Sequence, residues 1–296
     1  MFREIYALLK KTVEEWREDR ASQLAAALAY YTIFSLAPLL IIAIAVAAFF
    51  LADRSAVHDQ LLAQVRGLIG QGGAELIGAM LENSSQDHSG LIASLIGLAT
   101  LLLGATGAFS QLQSALNQVW DVEAKSEGVS GIVKVRALSF AMVLVIGFLL
   151  LVSLVVSTAL SAIDAYLLSG LPGGELLVRM FSLALSFGLI TLLFALIYKV
   201  LPDAEIQWRD VWIGAAFTAL LFTIGKYLIG LYLGNSSVSS TYGAAGSLVV
   251  LLLWIYYSAQ ILLFGAEFTQ VYARRHGARI RPSQHAISVT RSTEGA

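Results

Sequence analysis

The chain has 296 residues, of which 57% are hydrophobic and only 13% charged, with a formal net charge of −1 and a mean hydropathy of +0.75. So little charge could not keep a soluble domain of that length in solution, and the composition predicts an integral membrane protein; the near-neutral balance points to neither nucleic acid nor an acidic substrate. With no cysteine, disulfides, thiolate catalysis and Cys-based metal or iron–sulfur sites are excluded.

Residues 1–20 place Phe2, Ile5, Tyr6, Leu9, Val13 and Trp16 at spacings of three and four, with Arg3, Lys10, Lys11, Arg17 and Arg20 between them. That period predicts an amphipathic helix over 1–23, lying in the headgroup region or packed on another part of the protein. The charge in the first 22 residues excludes the apolar core of a secretory signal, so the N-terminus is expected to be retained. Residues 24–51 form the first uncharged run long enough to cross a hydrocarbon core of ~30 Å, which needs roughly 20 helical residues. Pro38 lies within it. A proline removes one backbone donor and crowds the preceding turn, so a bend near 35–38 is expected, with Thr32 and Ser35 close enough to satisfy a freed carbonyl. Pro38 is thus a candidate hinge, or an ordinary bend.

The sizeable extramembrane insert is 52–89. Val57, Leu61, Val65 and Leu68 repeat with helical spacing, GQGG at 70–73 breaks the helix, and Leu76, Ile77, Met80 and Leu81 begin another. A helical hairpin over the outer mouth is expected. The second span, 91–119, turns polar along one face: Thr106, Ser110, Gln113, Ser114 and Asn117 follow at intervals of three and four. Lipid offers such side chains no hydrogen bonds, so they either join helices together or line a polar cavity. Gly104 and Ala108 have the spacing of small residues that lets helices approach closely.

Four further runs follow, at about 137–162, 176–200, 211–234 and 243–268. The polar, uncharged NSSVSSTY separates the last two. Residues 273–296 form a basic tail expected to be disordered. Lysines and arginines number five in 1–22, three in 121–136, two in 199–210 and five in 269–296, against two in 52–89 and none in 163–177 or 235–242. The positive-inside rule then gives six transmembrane helices with both termini cytoplasmic, and Trp120, Trp208 and Trp212 fall at inner helix ends as interfacial indoles do.

In the last two runs, Lys226 and Glu267 each need a reason for being there, because a charge near a bilayer is costly. Lys226, in the outer half of the fifth span, either snorkels to the surface or faces inward toward an anionic group. Glu267, near the inner end of the sixth, shares a helical face with Tyr256 and Gln260; it either pairs with Lys199 or Arg274 or serves a transport route. Lying near opposite ends of the membrane, the two are not expected to meet. The candidate polar cavity is therefore Ser110, Gln113, Asn117, Tyr256, Gln260, Lys226 and Glu267. Gly230 and Gly234 fit GxxxG helix packing.

Hydrolytic chemistry finds little support. His58, His88, His276 and His285 lie outside the spans, and none has a second ligand at a motif spacing. There is no P-loop and no Ser-His-Asp arrangement, so no catalytic residue, metal, cofactor or ATPase is expected. The expected partners are membrane lipids and a small solute or ion but not nucleic acid, and a homo-oligomer is compatible with the sequence.

Four segments agree in order and spacing with one family: AAALAYYTIFSLAPLL at 25–40, GAFSQLQSALNQVWDV at 107–122, YKVLPD at 198–203 and YGAAGSLVVLLLWIYYSAQILLFGAEF at 242–268. The chain resembles the YihY/BrkB family of bacterial inner-membrane proteins, once labelled ribonuclease BN. That resemblance implies a six-helix inner-membrane protein and roles in transport or virulence-related resistance. The whole predicts an all-α polytopic membrane protein whose leading function is movement of an ion, small solute or lipid. The alternative is a structural or assembly factor of the envelope, and a hydrolase comes a distant third.

Overall fold

A computed structural model of the chain describes residues 2–35, 74–79, 107–125, 174–235, 246–276, 280–283 and 286–289, with residues 59, 62, 63, 66, 141 and 149 singly. In chain order these form α1 (Phe2–Glu18), α2 (21–35), α3 (107–119), β1 (Val122–Ala124), α4 (Gly174–Val200), β2 (Ala204–Glu205), α5 (Trp208–Asn235), α6 (Gly246–Arg275), β3 (Arg281–Pro282) and β4 (Ala286–Ser288). Among the described residues three segments are long and apolar enough to cross a membrane: Met180–Val200, Trp208–Leu231 and Gly246–Arg275. They correspond to the last three expected spans. Of the first three, 24–51 and 91–119 are described only in part, 137–162 only at two residues, and the bend at Pro38 lies outside the described residues.

Local chemistry sets the helix boundaries. α1 carries Lys10–Glu14 and Lys11–Glu15 pairs one turn apart, the spacing at which opposite charges support a helix. The hydrogen bond to Glu15 holds the Lys11 ammonium above its ordinary range. Arg20 then takes a left-handed backbone, with φ 50°, and the chain turns into α2. Pro202 stops α4, since proline can neither donate to the preceding turn nor let its neighbour stay helical. Asp210 in the first turn of α5 and Arg274 and Arg275 in the last turn of α6 have the signs that the helix dipole favours.

α5 and α6 run antiparallel along a seam of glycines. A Cβ built on Gly214 would lie 2.6 Å from Thr269 Cβ, and one on Gly265 would lie 2.8 Å from Thr218 Cβ. Each threonine therefore fills the notch left by a glycine on the other helix, and each bonds its hydroxyl back to the carbonyl four residues earlier: Thr218 to Gly214 at 2.7 Å, Thr269 to Gly265 at 2.6 Å. Further along, Gly225 abuts Tyr257 and Ile261. Tyr198 fastens α4 to this pair; its buried hydroxyl donates to the Leu262 carbonyl at 2.7 Å and lies 3.0 Å from Thr218 Oγ1. Gly230, by contrast, has nothing within 4 Å of its notional Cβ, so the expected GxxxG packing there has no partner among the described residues.

The main core gathers α2, α3, α4, α5 and α6 around Leu116, Trp120, Tyr198, Leu201, Val211 and Leu263. Trp120 corrects an expectation: at 1% exposure it is a core residue and not an interfacial indole. Trp208 and Trp212 are exposed and lie 6.5 Å apart, centroid to centroid. At the other end of α6, the helical residues 74–79 of the insert place Ile77 against Ala29, Leu251 and Ile255.

α1 and the strands that follow α6 lie at one end of the bundle. α1 packs against α6, and Arg275 Nη1 donates to the Glu4 carbonyl at 3.4 Å. The tail beyond α6, expected to be disordered, instead contributes two strands. β3 pairs antiparallel with β2, Ala204 opposite Pro282 and Glu205 opposite Arg281, and β4 pairs antiparallel with β1, Val122 opposite Ser288.

Candidate functional site

The site is built where α3 ends. α3 turns one polar face toward the loop after α4, and Pro202, by ending that helix, presents Asp203 to it. Gln113 Nε2 and Asn117 Nδ2 each donate to Asp203 Oδ2 at 3.0 Å, while the Asp203 backbone N–H donates to Asn117 Oδ1 at 2.8 Å. All three side chains are 8% exposed. Asn117 thus reads both the side chain and the main chain of Asp203, and the amide and the carboxylate satisfy each other in a place where an unmet polar group would be costly.

Beside this triad lies a cavity of about 470 Å³. Ser110, Ser114 and Gln118 extend the amide face along α3, Asp121 and Glu123 add carboxylates, and Val289 of the tail forms part of the wall. The tail is tied there through its backbone: Ser283 N donates to the Asp203 carbonyl and Val289 N to the Asp121 carbonyl, both at 2.9 Å. Gln118 Nε2 also reaches the Asp19 carbonyl at 2.7 Å, fixing α3 to the turn between α1 and α2. Among the described residues no lysine or arginine lines the cavity. Such a wall of carboxylates, amides and hydroxyls suits a hydrated cation or a polar solute.

Asp121 is the joint between the cavity and α6. Its backbone is left-handed, with φ 50°, a conformation that aspartate tolerates better than most residues. Its Oδ2 accepts from Gln270 Nε2 at 3.1 Å and from Arg274 Nη2. Lys199 is occupied as well, donating to the Ile206 carbonyl and lying 5.6 Å from the centre of the Trp208 ring. The two bases that might have paired with Glu267 are therefore turned elsewhere, and neither Glu267 oxygen has a hydrogen-bond partner among the described residues. Glu267 itself is fully buried.

Of the residues singled out in the sequence, Ser110, Gln113 and Asn117 line the cavity. Tyr256, Gln260, Glu267 and Lys226 do not. Tyr256 packs against both apolar clusters, Gln260 is half-buried, and Lys226 Nζ lies 5.2 Å from the centre of the Tyr227 ring. Because Gly225 is level with Tyr257 and Ile261, Lys226 and Glu267 stand roughly 10–15 Å apart along the bundle at 1.5 Å per residue, and they do not pair. Asp203, Asp121 and Gln270 were not among the candidates. For Asp203 a signal existed, a carboxylate directly after the proline that ends an apolar run. Asp121 and Gln270 sit in stretches that read as helix ends. Among the described residues no group of three or more His, Cys, Asp or Glu could hold a metal ion.

No solved structure matches the chain. Similar proteins include a UPF0761 membrane protein of Alkalilimnicola ehrlichii, 29% identical over 279 residues, covering 90% of this chain and 58% of the relative. Another, of Verminephrobacter eiseniae, is 30% identical over 270 residues, covering 86% of this chain and 60% of the relative. A third, of Alcanivorax borkumensis, is 28% identical over 292 residues, covering 97% and 65%. The chain thus spans about three-fifths of the length of these relatives. The model of the family described as Virulence factor BrkB matches residues 12–289, from the middle of α1 through the tail strand that walls the cavity, and the chain belongs to that family.

Proposed function

We propose that the protein is a six-span protein of the bacterial inner membrane, with both termini in the cytoplasm, that moves an ion, small solute or lipid without an ATPase of its own. The observation that carries this reading is the polar cavity beside Gln113, Asn117 and Asp203, at the end of a bundle whose long helices are otherwise apolar. Its place beside the termini, with basic residues clustered in the tail, supports assigning it to the cytoplasmic mouth. Polar volume at the end of apolar helices is where a solute route would open, since buried polar groups at a membrane helix interface are costly unless they bond to each other or to what passes.

The alternative, a non-catalytic structural or assembly factor of the envelope, is favoured by the mutual satisfaction of the Asp203 triad and by the tail folded over it. Reconstituted vesicles separate the two. With a panel of monovalent ions, small neutral solutes and labelled lipids, at least one probe should equilibrate faster than in empty vesicles, and Asn117→Leu, which places an apolar side chain in the cavity wall, should slow that probe severalfold. Rates indistinguishable from empty vesicles for every probe would leave the structural role.

A further inference from the structure

Glu267 takes no part in the cavity described above, yet it is the group whose state the fold leaves least satisfied. It is fully buried on α6 between Leu263 and Val271, one turn to either side, and neither of its oxygens meets a donor among the described residues. Two bases that might have served it are engaged, Arg274 with Asp121 and Lys199 with the Ile206 carbonyl, and the indole N–H groups of Trp16 and Trp120 are buried with no acceptor among the described residues. The charged groups acting on Glu267 are Asp121, Glu15 and Glu18 of α1, and Arg274 on its own helix. Three acids surround it, and the single base among these groups is engaged with one of them. A bare carboxylate in such surroundings is strongly disfavoured.

Three residues on lies Gln270, 1% exposed. Its Nε2 is spent on Asp121, and its Oε1 also lacks a partner among the described residues. Two unmet acceptors therefore sit one turn apart on the same face, within side-chain reach. One added proton would turn the carboxylate into a hydroxyl donor and give the neighbouring amide oxygen something to accept. A larger cation would need more oxygen ligands, and the described residues gather no metal-type cluster.

We propose that Glu267 is a proton-binding site that exchanges with water in the cavity by way of Asp121. Asp121 lines the cavity and its side chain is 22% exposed, so the proton passes from solvent to the Asp121 carboxylate and on to the Glu267 carboxyl when the Gln270 side chain, which carries no proton itself, turns aside. The proton comes from cavity water, adds to a Glu267 oxygen and leaves by the same route. Binding of the proton stands independently of the transport reading; only its use in driving a solute rests on that reading.

The test is infrared difference spectroscopy of the full chain in nanodiscs as the buffer pH is stepped. Subtracting the Glu267→Gln spectra from those of the wild type should leave a carboxylic acid C=O band that rises and falls with pH, the other acidic residues cancelling, and Glu267→Asp should show that band at a displaced frequency. Asp121→Asn should slow the appearance of the band after a pH jump. If the spectra of wild type and Glu267→Gln are superimposable while both elute as folded protein, the proposal is overturned. Because the measurement contains no solute, a vesicle experiment without flux removes the transport reading and leaves this result unchanged.

Discussion

Asp203 shows how much a single acceptor can organise. Its Oδ2 receives two amide donors and its backbone N–H is held by one of the same side chains, so removing the carboxylate strands two buried N–H groups at once. Asp203→Ala should destabilise the protein by about 1–3 kcal/mol for the stranded donors, seen as a lower thermal midpoint in detergent. Asp203→Asn, which keeps an acceptor and loses the charge, should fall between that variant and the wild type; an alanine variant as stable as the parent would contradict the triad. The sequence made half of this legible. Gln113 and Asn117 stood out because polar residues recur along a face that should be apolar, whereas Asp203 follows a helix end, where a carboxylate is ordinary and its partner on another helix leaves no mark in the spacing.

Among the elements, the α5–α6 pair is the most tightly specified. The motif is reciprocal, Gly214 with Thr218 on one helix and Gly265 with Thr269 on the other, and each threonine occupies the space of the opposing glycine. Gly214→Ala should therefore cost about 1–3 kcal/mol through overpacking, read from unfolding in mixed micelles, and adding Thr269→Ala should restore only part of it, because Thr269 Cβ itself lies 2.6 Å from the new methyl. Full recovery in the double variant would show that the backbones can separate. The three long apolar helices α4, α5 and α6 were plain in the sequence, since runs of apolar residues of this length have few alternatives. The seam was not. Small residues at four-residue spacing are common in membrane helices, and the pair that looked most like a packing motif, Gly230 and Gly234, meets no neighbour at Gly230 among the described residues. The tail strands were hidden for a different reason: two or three residues with charged and polar neighbours form a strand only because β1 and β2 offer free edges.

At the scale of the whole molecule, the N-terminal helix and the tail converge on one end, where α1 touches α6 and β4 joins β1. Both ends should therefore be reached from the same compartment. On the proposed topology, in cells expressing the otherwise cysteine-free chain, cysteines placed at Glu4 and at Ser288 should resist a membrane-impermeant thiol reagent until the membrane is opened; labelling of one alone in intact cells would remove the even number of spans, and labelling of both the cytoplasmic placement. The interlocked threonines also have a mechanical consequence. Sliding α5 along α6 by one residue, about 1.5 Å, would lift both hydroxyl-bearing side chains out of their recesses and onto bulkier neighbours, so these helices travel as one piece, with α4 bolted on through a tyrosine. Among the described elements, any relative movement is thereby left to the amide-bearing helix and the terminal ribbon, set against an unyielding block.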